Sequence, residues 1–221
     1  MRALVVSLCL LALGPSAWPD SADRLFIRPW VELEPLVRFE AGVYPIPVAT
    51  AQKDLLEEGR ELFSGMIYGW TFTYIPGDLS RRVQESFTLT PVAEIQWGSP
   101  QLSVQDTEIA EERLWARLSY RLSPEESQRR TAWGSNTAAM STGRGTASVM
   151  GGPAAKRDSL RQAIRDAIRL SLDTRYVNKP REITGEVVLW DDPLTFVASG
   201  TYTTSAKVKV LVRELIPYRI F

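Results

Sequence analysis

The pattern that most constrains the fold is a helical repeat in the C-terminal half of the chain. From Pro153 to Leu172, apolar and small residues recur every three or four positions, as the buried face of an amphipathic helix requires. Arginines at four-residue intervals occupy the opposite face, at Arg157, Arg161, Arg165 and Arg169. Because Asp158 and Asp166 lie among them, we favour a solvated, ion-paired face, and a dedicated anion site is the alternative.

Two further segments predict helices. Apolar residues recur at helical spacing from Leu55 to Met66, and Thr50 is suited to cap the first turn. The sequence Ser123-Pro-Glu-Glu predicts a second helix that ends near Trp133. Serine caps the first amide groups, proline suits the first helical position, and acidic residues favour the positive end of the helix dipole.

The remaining apolar segments predict strands, because they are rich in aromatic and β-branched residues or alternate between apolar and polar. A turn at Asp191-Asp192-Pro193 separates the last two. The predicted extended segments are Ile67–Ile75, Val83–Ile95, Leu102–Leu122, Glu182–Trp190 and Thr195–Leu215.

The segment 134–152 is rich in Ser, Thr, Ala and Gly and lacks helical spacing. We interpret it as a long loop, with room for a short strand, and as a place for a partner contact, since long loops in compact domains are often functional. The segment 23–48 carries four prolines, which interrupt regular hydrogen-bond ladders, and it is predicted to be extended or looped.

The two halves of the chain have a similar order. In each, a helix lies upstream of a Trp-x-x-Pro sequence, at Trp97 and Trp190, and a long strand follows. Internal duplication and coincidence both explain this likeness. Duplication would place two helices on one face of a shared sheet.

These patterns predict an α+β fold, an antiparallel sheet covered by amphipathic helices. The expected divisions are a signal peptide at 1–22, an extended segment at 23–48, a helix-plus-sheet half at 49–133, a Gly/Ser/Thr-rich loop at 134–155 and a helix-plus-hairpin half at 156–221. The two halves are expected to form one compact domain.

Composition narrows the available chemistry. The chain has 26 basic and 26 acidic residues, so its net charge of zero gives no electrostatic case for binding nucleic acid. It contains no histidine, and its one cysteine, Cys9, lies in the N-terminal apolar run. Sites that need imidazole or a thiolate, such as the Ser-His-Asp triad and Cys/His zinc sites, are therefore excluded from the mature chain. We expect no cofactor and no metal.

The N-terminus predicts an export signal. Met1-Arg2 precedes an uncharged apolar run, Ala3–Leu13, and small residues follow, which is the order of a secretory signal peptide. A buried strand or helix is the alternative. The run has about half of the ~20 residues that a membrane span needs, so no integral span is expected. Cleavage after Ala17 or Ala22 is compatible with the sequence, and Cys9 lies too early for lipid attachment. We therefore expect a periplasmic or secreted protein.

Acidic residues are the candidates for chemistry. Asp191-Asp192 is the most obvious carboxylate pair, although adjacent acids before a proline are typical of a turn. Glu94, Glu186 and Asp192 are the residues that would serve a hydrolase or bind a hard cation. Their spacing matches no calcium-binding loop.

Aromatic residues give the other candidate site. Four of them alternate along one predicted strand: Tyr68, Trp70, Phe72 and Tyr74. Alternate residues of a strand share one face, and core packing is the ordinary reason for an aromatic face. The sharper alternative is a platform that binds a partner protein or a glycan, and these four are the candidate partner-binding residues.

Parts of the sequence resemble known families. The tracts SLRQAIRDAIR, EITGEVVLW and SGTYTTSAKVKVLVREL, within Asp158–Glu214, resemble periplasmic flagellar-accessory proteins such as the N-terminal domain of FlgT. Met66–Pro76 and Asn178–Trp190 are similar to uncharacterised exported proteins of spirochaetes. Together these resemblances cover at most half of the chain. The resemblance to flagellar-accessory proteins implies a non-catalytic periplasmic role near the flagellar apparatus, and no functional residue can be transferred from it.

Two functions follow as expectations. The first is an exported structural or interaction protein of the cell envelope, without enzymatic activity, whose partner is an envelope or periplasmic protein. The alternative is a carboxylate-dependent hydrolase or a glycan-binding module that uses the aromatic face. A deep cleft with converging acids of shifted pKa would favour the alternative. An exposed apolar patch or a free sheet edge would favour the first.

Overall fold

A computed structural model describes residues 23–35, 37–38, 42–173 and 180–218. The predicted signal peptide at 1–22 lies outside the described residues. Within them, ten strands form two antiparallel sheets and three α-helices pack around these sheets. The predicted α+β fold class is therefore confirmed.

The three helices agree closely with the predicted ones. Their bounds are α1, Val48–Ile67; α2, Pro124–Trp133; and α3, Gly152–Asp173. The first begins two residues before Thr50, after Pro47 and without a side-chain cap. None of the helices in the described ranges is both long enough and apolar enough to cross a membrane.

Helix α2 divides the ten described strands into six that precede it along the chain and four that follow it. Six precede α2: β1, Arg24–Ile27; β2, Trp30–Glu32; β3, Trp70–Ile75; β4, Ser86–Pro91; β5, Leu102–Ala110; and β6, Arg113–Arg121. Four follow it: β7, Ala139–Ser148; β8, Glu182–Leu189; β9, Leu194–Ala198; and β10, Thr201–Ile216. The predicted single strand over Thr195–Leu215 is thus a hairpin, which turns at Ser199-Gly200.

The first sheet is built around β6. Strand β5 pairs with one edge of β6, and β1 and β2 pair in turn along the other edge. Glu111 and Glu112 close the β5–β6 hairpin with φ of 52° and 58°, as a two-residue turn of type I′ requires. The pairing of β2 with β6 sets Trp30 opposite Trp115. The proline-containing N-terminal segment therefore contributes two short edge strands.

The second sheet runs in the order β4-β3-β8-β10-β7, and β9 pairs with the first part of β10. One apolar core joins both sheets, with Phe63 of α1, Leu118 of β6, Ile164 of α3 and Val208 of β10 all buried in it. Helices α1 and α3 both pack on the second sheet, and α1 also packs on the first. The single sheet that an internal duplication would give is not formed, because β6 of the first half and β10 of the second half lie in different sheets. In the first half, Trp97 lies in the loop between β4 and β5, and the hairpin after it belongs to the other sheet.

Strand β7 corrects the predicted Gly/Ser/Thr-rich loop at 134–155. Gly143 and Gly145 of β7 lie directly against the backbone of α3, at Ala163 and Ser159. A Cβ atom on either glycine would overlap main-chain atoms of the helix. The small residues thus allow a helix to approach a strand closely, and the segment packs in the fold.

The capping box of α2 extends into the core. The Glu126 backbone N–H donates to the Ser123 hydroxyl, and the Ser123 backbone N–H donates to the Glu126 carboxylate. The hydroxyls of Tyr68 and Tyr120 also donate to this carboxylate, at 2.6 and 3.0 Å. Burial works to raise the pKa of Glu126, but these hydrogen bonds outweigh it and hold the pKa below its usual value. One buried carboxylate therefore joins α2, β6 and the end of α1.

The contact between β7 and α3 makes a stability prediction. Replacing Gly145 with Ala should lower the free energy of unfolding by about 3 kcal/mol and the Tm by roughly 10 °C, because the new methyl group would overlap the Ser159 carbonyl oxygen. Thermal unfolding followed by circular dichroism measures the change. The control is Thr146→Ala, an exposed position of the same strand, which should move the Tm little. A Gly145→Ala protein as stable as the parent would contradict the close approach.

Candidate functional site

A cleft of about 470 Å³ lies where the two sheets meet α1 and α3. Trp70 of β3 and Trp115 of β6 line it, and so does the buried Trp30 of β2. The turn between β8 and β9 adds Asp192 and Leu194. We call this cavity the aromatic cleft. Its volume and its mixture of apolar and charged walls are typical of small-molecule and cofactor sites.

Lys156, near the start of α3, holds three elements together at the cleft. Its ammonium donates to the backbone oxygen of Trp30 at 2.5 Å and to the carboxylate of Glu58 on α1 at 2.9 Å. The same ammonium lies 4.1 Å from the centre of the Trp30 ring. Both side chains of the Lys156–Glu58 pair are largely buried. This pair therefore joins α1, α3 and the edge of the first sheet.

Trp30 is also part of an aromatic cluster behind the cleft. Its ring centre lies 6.0 Å from that of Trp115 and 6.3 Å from that of Tyr202. Its indole N–H donates to the Thr195 carbonyl at 3.1 Å, which ties β2 to β9. Trp30, Glu58 and Lys156 also border a second cavity of about 300 Å³. The Trp30 ring therefore forms part of the wall of both cavities.

The other cations of the aromatic cleft are also matched by acids. Each lies within 3.7 Å of a carboxylate, so the charges of the cleft are paired. Arg60 is largely buried, whereas the other three arginines are more than half exposed and form weak surface pairs. The pairs are Arg28–Glu108 at 3.0 Å, Arg60–Glu94 at 3.0 Å, Arg157–Glu61 at 3.6 Å and Arg161–Asp158 at 3.7 Å.

Asp192 is the exception among these charges. One carboxylate oxygen accepts the backbone N–H of Arg28 at 2.8 Å, and no ion pair is formed by this side chain in the described part of the chain. Burial raises its pKa to about 6, against the weaker opposite effect of the Arg28 hydrogen bond. The negative charges of Asp191 and Glu58 add to the rise, and Lys156 works against it. The protonated fraction of this carboxyl therefore changes with small changes of pH near neutrality.

The structure brings together two of the three candidate acids. Glu94 and Asp192 both line the aromatic cleft. Glu186 does not line it, and instead pairs with Arg213 of the neighbouring strand at 3.0 Å. The reading of Asp191-Asp192 as a turn is confirmed, because these residues connect β8 to β9. Across the described ranges, no group of three or more acidic side chains is arranged to hold a metal ion.

The four candidate aromatic residues take different positions. Phe72 and Tyr74 are only 2% and 5% exposed and belong to the core. Trp70 is partly exposed and lines the aromatic cleft. Tyr68 precedes the strand, because α1 continues to Ile67, and its hydroxyl donates to Glu126. Three of the four share the face of β3, as predicted, but no continuous exposed platform forms, and partner binding by the set stays a prediction.

Several cleft residues were not identifiable from the sequence as site residues. Trp115 belongs to a correctly predicted alternating strand, and Glu58 to the polar side of a correctly predicted helix. Lys156 lies one residue before the arginine stripe of α3. Three of the four arginines form ion pairs, as favoured, and Arg169 bonds to Asp166 at 2.8 Å. Arg157 and Arg161 also line the cleft. Trp30 meets Trp115 through the pairing of β2 with β6, and β2, at three residues, is too short for the sequence to predict that pairing.

Over the described residues, the chain is a mixed α+β protein with two antiparallel sheets and an aromatic cleft whose cations are ion-paired. The sequence model of a family of uncharacterised proteins matches residues 15–218, so the chain belongs to that family. An uncharacterised protein of Treponema pallidum (strain Nichols) is 27% identical over 192 residues, which cover 87% of this chain and 81% of the relative. The predicted similarity to uncharacterised spirochaete proteins is thus confirmed. No solved structure matches this chain.

The raised pKa of Asp192 predicts a pH-dependent cost to stability. The folded protein holds this proton more tightly than the unfolded chain, whose carboxyl titrates near 3.8, so stability is lost as the pH rises from about 4 through about 6. Asp192→Asn removes this loss. Its Tm should exceed that of the parent by a few degrees at pH 7.5, and the two should converge below pH 4.

Thermal unfolding across this pH range measures the difference. Asp54→Asn, at an exposed position of α1, removes the same charge and serves as the control. If the Tm difference between Asp192→Asn and the parent were the same at every pH, ionisation of Asp192 would not be its cause.

Proposed function

We propose that this protein is a non-catalytic binding protein of the cell envelope that holds another envelope component in the aromatic cleft. One observation carries the proposal: indole rings from both sheets line a cavity whose cations are each paired with an acid. Such walls offer flat apolar surface for contact and hydrogen-bonding groups for orientation. Glu58 and Glu94 are engaged with Lys156 and Arg60, which suits fixed binding groups better than groups that must exchange protons.

The placement in the envelope is part of the proposal. Its support is the signal-like N-terminus, with the apolar run Ala3–Leu13 between a basic start and small residues. The resemblance of Asp158–Glu214 to flagellar-accessory proteins supports the periplasm, and makes the flagellar apparatus the first structure in which to seek the bound component. An envelope or periplasmic protein is the partner that this resemblance favours.

Capture from envelope extract tests the proposed function. The purified mature chain should retain a specific component, and Leu194→Arg should abolish retention, because its cationic side chain would compete with the bound component for Asp192 on the same wall of the cleft. Leu194 is 66% exposed, so the substitution should leave the fold intact. The matched control is Trp97→Ala. Trp97 is 56% exposed and lies outside the cleft, so its removal should leave capture unchanged. Equal capture by all three proteins, or none by the parent, would contradict binding in the cleft.

Asp192 gives specific support for a second candidate function, a carboxylate-dependent hydrolase. A carboxyl with a pKa of about 6 can donate a proton at neutral pH, and Glu58 lines the same cavity. The assay is release of reducing ends from purified cell-wall glycan. Turnover that Asp192→Asn abolishes would replace the binding function with the hydrolase, and absence of turnover together with cleft-dependent capture would exclude the hydrolase.

A further inference from the structure

We propose that the component held in the aromatic cleft is an uncharged glycan chain, stacked on Trp70 and Trp115 with its hydroxyl groups directed to Asp192. This inference rests on the proposed function and names the chemical class of the ligand. A protein is the alternative ligand.

The two indole rings are presented as fixed surfaces. Trp70 lies against Gly65 of α1, where even a methyl group would overlap the ring, so the close approach of the helix sets the ring position. The Trp30 ring packs against Trp115 with an interplanar angle of 44°. The Arg28 guanidinium lies over the Trp115 ring, 5.1 Å from its centre, and its side chain is 56% exposed, so a sugar that stacks on this face displaces a solvent-accessible side chain. A pyranose ring has one face of C–H groups that stacks on an aromatic ring, and its hydroxyls project from the edge. Rings fixed in advance lose little conformational entropy on binding.

The charge balance favours a neutral ligand. Five cations and four acids line the cleft, and every one of these cations has an acid within 3.7 Å. A polyanion could engage the two largely buried cations, Lys156 and Arg60, only by breaking their pairs with Glu58 and Glu94. An uncharged polyhydroxylated chain can instead accept and donate hydrogen bonds while the pairs remain intact.

Asp192 supplies the acceptor that a sugar hydroxyl needs. Its Oδ2 atom accepts the Arg28 N–H at 2.8 Å, and within the described ranges its Oδ1 atom accepts no hydrogen bond. The carboxylate lines the cleft beside Pro193 and Leu194. A hydroxyl donor at Oδ1 would therefore satisfy a partly buried group that is otherwise left to solvent.

Strand pairing argues against an extended peptide. Peptides that add to a sheet bind along an unpaired strand edge. Trp70 lies on β3, which pairs with β4 and β8, and Trp115 lies on β6, which pairs with β5 on one side and with β1 and β2 on the other. Both rings thus project from the faces of interior strands. A ligand in the cleft therefore contacts side chains, because the backbone hydrogen bonds of β3 and β6 are already made to neighbouring strands.

Isothermal titration calorimetry of the mature chain with two soluble probes tests the inference. The probes are chitotetraose, which is uncharged, and a heparin-derived oligosaccharide, which is polyanionic. Chitotetraose should bind, and Trp115→Ala should weaken it about tenfold, through loss of one stacking surface. Trp97→Ala is the control and should leave binding unchanged. Leu194→Arg, at an exposed position, should also abolish binding and keeps the test valid if Trp115→Ala fails to fold.

The outcomes separate the inference from the proposed function. Binding of chitotetraose that depends on Trp115 or Leu194 supports both. No binding of chitotetraose, or binding of the heparin fragment alone, overturns the glycan inference; if cleft-dependent capture of a protein from envelope extract persists, the proposed function survives it. Absence of both glycan binding and cleft-dependent capture overturns the two together.

Discussion

The arrangement of the two sheets around α1 and α3 depends on the contacts of the Lys156 ammonium. This ammonium joins α3, which packs on the second sheet, to Glu58 of α1 and to the Trp30 carbonyl at the edge of the first sheet. Breaking a buried pair by removing one partner typically costs about 3–5 kcal/mol, because the other charge stays buried without a partner. The aromatic cleft and the second cavity both border this contact, so the same pair that joins the two sheets also shapes the site.

The same constraint gives the cleft its chemical character. Lys156 is ion-paired with Glu58 and Arg60 with Glu94, so the walls present charges that already have a partner. Burial opposes the ionisation of Asp192 and of Glu61 and raises the pKa of each carboxyl, and of these two Asp192 is the one without an ion pair among the described residues. Indole rings from both sheets supply the apolar surface. A site of this kind orients a ligand through shape and hydrogen bonds and has little long-range electrostatic attraction to offer.

Local physics explains which elements could be predicted. The helices follow from apolar spacing and from the Ser123 cap, and β6 follows from strict alternation, since these signals lie within one segment. Strand β7 could not be predicted, because Gly143 and Gly145 are small to admit α3, a partner remote in sequence. The cleft depends on similar long-range pairing: Glu94 and Asp192 were identifiable as acids, but Trp30 and Trp115 become neighbours only through sheet register. Export and the flagellar resemblance stay predictions.

Site-specific photo-crosslinking in intact cells tests most directly whether the aromatic cleft holds an envelope component. A photoreactive residue is introduced at Leu194, inside the cleft, and separately at Leu79, which is 97% exposed and lies in the loop between β3 and β4, away from it. The account predicts a discrete adduct from position 194 that position 79 does not give. No adduct from position 194, or the same adduct from both positions, would contradict it.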